Sequence, residues 1–473
     1  MALKETLKQK IEEHRPRTTR LVKEFGKVKI DEVTIDQCIG GARDIRSLVT
    51  DISYLDPQEG IRFRGKTIPE TFAALPKAPG SNYPTVESFW YMLLTGDVPT
   101  EAQVAEVVAE WKTRQEVPQY VFDVLRALPR DSHPMVMLSV AMLTLQKDSK
   151  FAGFYNSGKF NKMTAWEYVY EDASDIVARI PIIAAFIYNL KYRGDKQIAI
   201  DPSLDMGANF AHMIGQKEEY KDVARMYFIL HSDHESGNVS AHTTHLVHSA
   251  LSDPYYAYSA GLNGLAGPLH GLANQEVLDW TLKFQEKYCK DVEPTEELIK
   301  AALWDTLNAG QVIPGYGHAV LRKTDPRYTS QREFCLNTPG LKDYPLFKVI
   351  AKIFEVAPGV LTEHGKTKNP WPNVDAQSGV IQMYYGLTEY DFYTVLFGVG
   401  RALGCMANIT WDRGLGYALE RPKSVTTGIR EQWAEAGGRN YYRPLVLQSK
   451  RGCAIASPFY VHISQPTFRF ISR

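Results

Sequence analysis

Helical periodicity broken at short intervals by Gly and Pro constrains this chain most. Val104, Val107, Val108 and Trp111 fall at i, i+3, i+4 and i+7, so one helix face is apolar. Leu346, Val349, Ile350, Ile353 and Phe354 repeat the pattern, with Pro345 at a first helical position and Pro358-Gly359 as the expected stop. Thr295, followed by Glu297 and Leu298, opens a helix expected to run to Asn308 and end near Gly310. Strand-like alternation is scarce: Val28-Lys-Ile30, Val33-Thr-Ile35 and Val461-His-Ile463 are the candidates. The expected fold class is all-α, with chemistry carried on the loops between helices.

Composition narrows the partners. Lys plus Arg and Asp plus Glu both number 54, so no global charge surplus favours nucleic acid or an acidic membrane. Cys38, Cys289, Cys335, Cys405 and Cys453 are scattered without a C-x-x-C pair, which argues against a disulfide framework and a cysteine zinc site. No stretch approaches the roughly 18 uninterrupted apolar residues of a membrane span. Ile180–Leu190 reads as a buried core helix. The N-terminal segment carries acids early and fits neither a secretory signal nor a transit peptide.

Three breaker-rich segments each hold one acid–base side chain: Gly264-Leu-Ala-Gly-Pro-Leu-His270-Gly, Pro314-Gly-Tyr-Gly-His318 and Asn369-Pro-Trp-Pro-Asn-Val-Asp375. Two imidazoles and a carboxylate on stiff backbone are the parts needed to take a proton from carbon next to a carbonyl. Taken singly, each also has a structural use: His270 and His318 as satisfied loop histidines, Asp375 as the N-cap of a helix starting at Ala376. Arg322, Lys323 and Arg327 follow the second segment, Lys366 and Lys368 precede Asp375, and Arg401 and Arg421 lie further on. Together they are the candidate anion set. The segment His231–His248 is rich in histidine, and His242 and His245 are spaced i, i+3. The metalloprotease pattern is absent, because Asn238 stands four residues after His234. Core packing and interhelical hydrogen bonds are the expected use of most of these histidines.

Taken jointly, these segments, with Leu55-Asp-Pro-Gln-Glu-Gly-Ile-Arg-Phe-Arg-Gly, Trp90-Tyr-Met-Leu-Leu-Thr-Gly and Tyr393-Thr-Val-Leu-Phe-Gly-Val, resemble the citrate synthases of eukaryotic type. The resemblance runs from the first helix to about Ser424. It implies an all-α homodimer in which a small domain, 272–382, closes over a large one formed by 1–271 and 383–436. It implies that Asp375 removes a methyl proton from acetyl-CoA while His270 donates to the thioester oxygen. His318 would polarise the ketone of oxaloacetate, and His234, Arg327, Arg401 and the partner subunit's Arg421 would bind that substrate. Pro314, Gly315, Tyr316 and Gly317 would recognise the adenine end of CoA, with Arg322, Lys366 and Arg43 at its phosphates. No metal or cofactor is implied, nor any nucleic-acid or membrane partner. The implied location is the mitochondrial matrix, with the import presequence absent from this chain.

Three departures from the family pattern stand out. Gln377 replaces a common histidine, Ser236 replaces a glycine, and the chain continues into a basic extension, 437–473, where relatives end. The substitutions keep 2-methylcitrate synthase, acting on propionyl-CoA, as the enzyme alternative. The extension raises an additional assembly or filament role, with Val461/Ile463 and Phe468/Phe470 as strands crossing a partner.

Overall fold

A computed structural model of the chain describes residues 2–290, 292–435 and 437. Among these residues α-helices dominate, and the only sheet is one antiparallel hairpin, β1 (Ser53–Asp56) paired with β2 (Gly60–Phe63). The all-α expectation holds. The strand expectation at 28–35 does not: Ile35–Ile39 is a helix, opened by a reciprocal capping box between Thr34 and Gln37. The hairpin spans 53–63 instead, overlapping the Leu55–Gly65 segment, and Asp56 and Gly60 close its turn. The proposed strands near Val461 and Phe468, and the extension itself, lie outside the described residues.

Two contact units divide the chain, Met1–Arg421 and Pro422–Arg473. In the second, the helix Thr427–Glu435 opens where Thr426 Oγ1 accepts from the Ile429 amide at 3.3 Å. The first unit is built around Ala165–Tyr192 and Tyr393–Leu415, which pack on each other and on most neighbouring helices. Both segments are long and apolar enough to cross a membrane, yet 89% and 100% of their most apolar windows are buried inside the protein. They are core helices, as read for Ile180–Leu190.

A second hydrophobic cluster is separate from this core. Phe284, Ile299, Leu303, Val349, Ile353 and Leu361 form its centre, on helices Ala273–Tyr288, Glu296–Asn308 and Pro345–His364. Thr295 caps the middle helix through the Leu298 amide, and Gly310 follows its end at φ +75°, as expected. The stop expected at Pro358-Gly359 fails, because that helix continues to Gly365 at φ +75°. An interior proline removes one backbone bond at roughly 3 kcal/mol. Burying Pro358, Val360 and Leu361 offsets it, at about 1.5–3 kcal/mol per large apolar side chain.

Candidate active site

Close helix approach creates the floor of the site. A Cβ on Gly400 would sit 2.8 Å from the Phe228 carbonyl oxygen, and one on Gly404 2.4 Å from that of Ser232. Only hydrogen at both positions lets Tyr393–Leu415 reach the last turn of helix Tyr220–Leu230 and the segment after it. Arg401, between these glycines, is 1% exposed. Its Nε donates to the His231 carbonyl at 3.1 Å, and its Nη1 to Asn238 Oδ1 at 2.8 Å and Ser240 Oγ at 3.3 Å. The guanidinium also lies over the Phe397 ring, 4.9 Å from its centroid. One cation thus ties a helix end, a loop and the next helix start together.

The hairpin secures the loop 231–238. Ser53 Oγ donates to Asp233 Oδ2 at 2.6 Å and accepts the Glu235 amide at 3.0 Å, holding Glu235 at φ +56°. His231 stacks on Tyr227 and its Nδ1 donates to the Tyr227 carbonyl at 2.8 Å. His234 is buried with Nε2 lacking a protein partner. Burial, with Arg327, His318 and Arg401 facing it, holds its pKa well below the usual range.

The two candidate acid–base histidines have opposite tautomers. His270 Nε2 accepts the Ser240 amide at 3.2 Å, so its proton sits on Nδ1. The Ser240 hydroxyl lies 2.9 Å from the same nitrogen. His318 Nδ1 accepts the amides of Val320 and Leu321, both at 3.0 Å, which leaves the proton on Nε2. Burial, reinforced by nearby arginines, lowers His270 to about 3 and His318 to about 4. At neutral pH both are uncharged hydrogen-bond donors.

Asp375 reaches this group through a backbone zipper. The Gly317 amide donates to the Trp371 carbonyl at 3.1 Å, the Asn373 amide to Gly315 at 2.8 Å, and Asn373 Nδ2 to Gly317 at 3.1 Å. Gly315 and Gly317 are at φ +79° and +97°, and a Cβ on Gly315 would meet the Ala376 backbone at 2.8 Å. Asp375 is the first residue of helix Asp375–Tyr384, and Val374 is its N-cap. The N-cap reading of Asp375 is therefore corrected: Asn373 Oδ1 accepts the Asp375 amide at 3.0 Å, and the carboxylate is released from capping. Its Oδ1 is shielded without a partner, and burial raises its pKa to about 7 against the pull of Arg327.

Arg327 is 3% exposed and grips Asp325 through Nε and Nη2, the latter at 2.7 Å, so Nη1 is the edge left for a ligand. Asp325, Ser240, Asn238 and Asn373 escaped the sequence reading. Asp325-Pro326 is a helix N-cap signature, and it alone gave a usable signal. The outer candidates stand apart: Arg43, Lys366 and Arg421 are exposed, and Arg322 Nη1 donates to the carbonyls of Ala319, Val320 and Leu321 in its own loop. The histidine-rich segment disperses. His248 bonds the Ser252 carbonyl just past its own helix, His242 pairs with Glu420 in irregular chain, and His245 pairs with Asp412 of helix Tyr393–Leu415, the one of the three that is interhelical as expected.

Fold and site define a class, a helical protein with neutral imidazole donors, a carboxyl poised near neutrality and buried arginines for an anion. Comparison with known proteins makes the class specific. Residues 41–423 match the family model "Citrate synthase, C-terminal domain". The chain is 52% identical to the mitochondrial citrate synthase of Saccharomyces cerevisiae, covering 90% of this chain and 89% of the relative. It is equally identical to the peroxisomal enzyme of that yeast, over 89% and 92%, and to a mitochondrial 2-methylcitrate synthase of Yarrowia lipolytica, over 92% and 93%. A citrate synthase structure from Pyrobaculum aerophilum superposes with a TM-score of 0.69 at 25% identity, covering 85% and 95%. The chain belongs to the citrate synthase family, and so to the acyltransferases.

Proposed function

We propose that this protein condenses acetyl-CoA with oxaloacetate and hydrolyses the resulting citryl-CoA to citrate and CoA. The observation that carries the reading is Asp375: a shielded carboxyl with one unpartnered oxygen, raised to about 7, under the same Arg327 charge that acts on two neutral histidine donors. Asp375 takes a methyl proton from the acetyl group as His270 Nδ1–H donates to the thioester oxygen, where negative charge develops. The enol carbon attacks the oxaloacetate ketone, whose oxygen receives a hydrogen bond from His318 Nε2. Water then cleaves the thioester. His234, Arg327 and Arg401 bind the dicarboxylate, and Pro314–Gly317, Arg322, Lys366 and Arg43 take CoA. Each step moves protons and carbon bonds only, so the chemistry calls for no metal or organic cofactor.

The segment 272–382 acts as a small closing domain with its own apolar cluster, and closure excludes water from the enol. The working unit is a homodimer. Val136, Leu143, Val239, Leu246 and Tyr256 are 41–53% exposed on helix Pro254–Leu265 and the two helices packed against it, and Leu269 beside His270 is 100% exposed. A second copy covers this face and brings the partner's Arg421 to the site. Relatives named mitochondrial support a mitochondrial location, for which the matrix is the proposed compartment, while an equally identical relative is named peroxisomal.

A second reading, 2-methylcitrate synthesis from propionyl-CoA, rests on the 52% identity to the Yarrowia lipolytica 2-methylcitrate synthase and on Ser236 and Gln377, the latter donating from Nε2 to Cys335 Sγ at 3.0 Å. One methylene discriminates by roughly 10- to 200-fold. Free CoA release with oxaloacetate separates the two. Faster kcat/KM with acetyl-CoA is expected; faster turnover of propionyl-CoA moves the assignment to the second reading.

A further inference from the structure

Glu420 and the histidines beneath it have no part in the chemistry above, yet they are tied down with care. Glu420 Oε1 lies 2.8 Å from His242 Nε2, and its Oε2 is 3.6 Å from His245 Nε2. The Glu420 amide donates to Ser249 Oγ at 3.0 Å. His245 is oriented in turn from its other nitrogen, Nδ1, which is 2.6 Å from Asp412 Oδ2. His242, His245 and Ser249 share one face of helix Val239–Ser249 by their spacing of three and four. That helix also supplies Ser240, the contact of His270 and Arg401. Its start therefore serves the site of its own subunit, while its face fixes the residue before Arg421. On the other side of Arg421 stands Pro422, which restricts the preceding backbone to extended conformations. The exposed Arg421 side chain is thus carried on a strut anchored at one end and stiffened at the other.

We propose that Glu420, held by His242 through its carboxylate and by Ser249 through its amide, with His245 close by, is a positioning residue that aims Arg421 at the oxaloacetate site of the partner subunit. This rests on the reading that Arg421 acts across the dimer. A long side chain binding in trans gains nothing from its own subunit's pocket walls, so its aim must come from the backbone that carries it. Misplacing such a group by about 1 Å costs up to about a hundredfold in rate or binding.

The test uses the full chain. Glu420→Ala is expected to raise KM for oxaloacetate about ten- to a hundredfold, with kcat changed less than about threefold. Glu420→Gln moves KM the same way by less and serves if the alanine variant does not fold. Two-tag heterodimers then locate the effect. Paired with a His270→Ala subunit, the working site of a Glu420→Ala subunit is served by an intact Glu420 and Arg421. The proposal expects wild-type KM in that hybrid, as in the Arg421→Ala/His270→Ala hybrid. An unchanged KM in the Glu420 homodimers overturns it. So does a hybrid whose KM stays high while the Arg421 hybrid recovers. An Arg421 hybrid that fails to recover overturns the underlying trans reading instead.

Discussion

At the scale of single residues, the site depends on which nitrogen carries the proton. Ser240 fixes His270 as an Nδ1 donor, and the amides of Val320 and Leu321 fix His318 as an Nε2 donor. Both imidazoles are lowered to about 3–4 and stay neutral throughout the working range, whereas Asp375 is raised to about 7. A base must be deprotonated to work, so kcat/KM for acetyl-CoA is expected to rise with pH up to about 7 and then level. Below that value it should fall about tenfold per pH unit. Initial rates from pH 5.5 to 9 check this. A profile flat down to pH 5.5 would assign the base elsewhere. The sequence singled out His270, His318 and Asp375 as candidates, but their tautomers and elevated or depressed pKa values depend on amides and burial that no spacing encodes. Asp375 shows the limit most clearly, since a helix N-cap and a shielded base occupy neighbouring positions in the same sequence.

At the scale of elements, close approaches position the chemistry. Tyr393–Leu415 can pass the 228–233 backbone only because Gly400 and Gly404 lack side chains. Gly404→Ala would place a methyl 2.4 Å from the Ser232 oxygen and 2.6 Å from Asp233 Cβ. It should lose about 3 kcal/mol of stability, the upper range for overpacking, and weaken oxaloacetate binding through Arg401. Urea unfolding and KM measure the two effects, and a stable variant with normal KM would refute the account. Helix starts were legible, as Thr295 shows, because a capping side chain acts within one turn. The hairpin 53–63 and the passage of helix Pro345–His364 through Pro358 were not. Long-range packing decides both: Ser53 on Asp233 in the first, the second apolar cluster in the second.

At the scale of the whole molecule, the exposed apolar face on helices Pro134–Leu145, Val239–Ser249 and Pro254–Leu265 is the feature a monomer explains least. Val136→Asp combined with Tyr256→Glu is expected to yield monomers in sedimentation and to lower kcat/KM at least about tenfold, because each site would lose the partner's Arg421. Monomers with full activity would contradict the shared site. The sequence hinted at this level through family resemblance only, since exposure of Val136 or Leu269 cannot be told from burial by residue type.

The proposed chemistry depends most on Asp375 as the base. Free CoA release from acetyl-CoA and oxaloacetate, measured for the native chain and for Asp375→Ala of unchanged fold and assembly, tests it most directly. Turnover by the native protein is expected, with a loss of at least about a hundredfold in the variant. A variant with near-native turnover would contradict it.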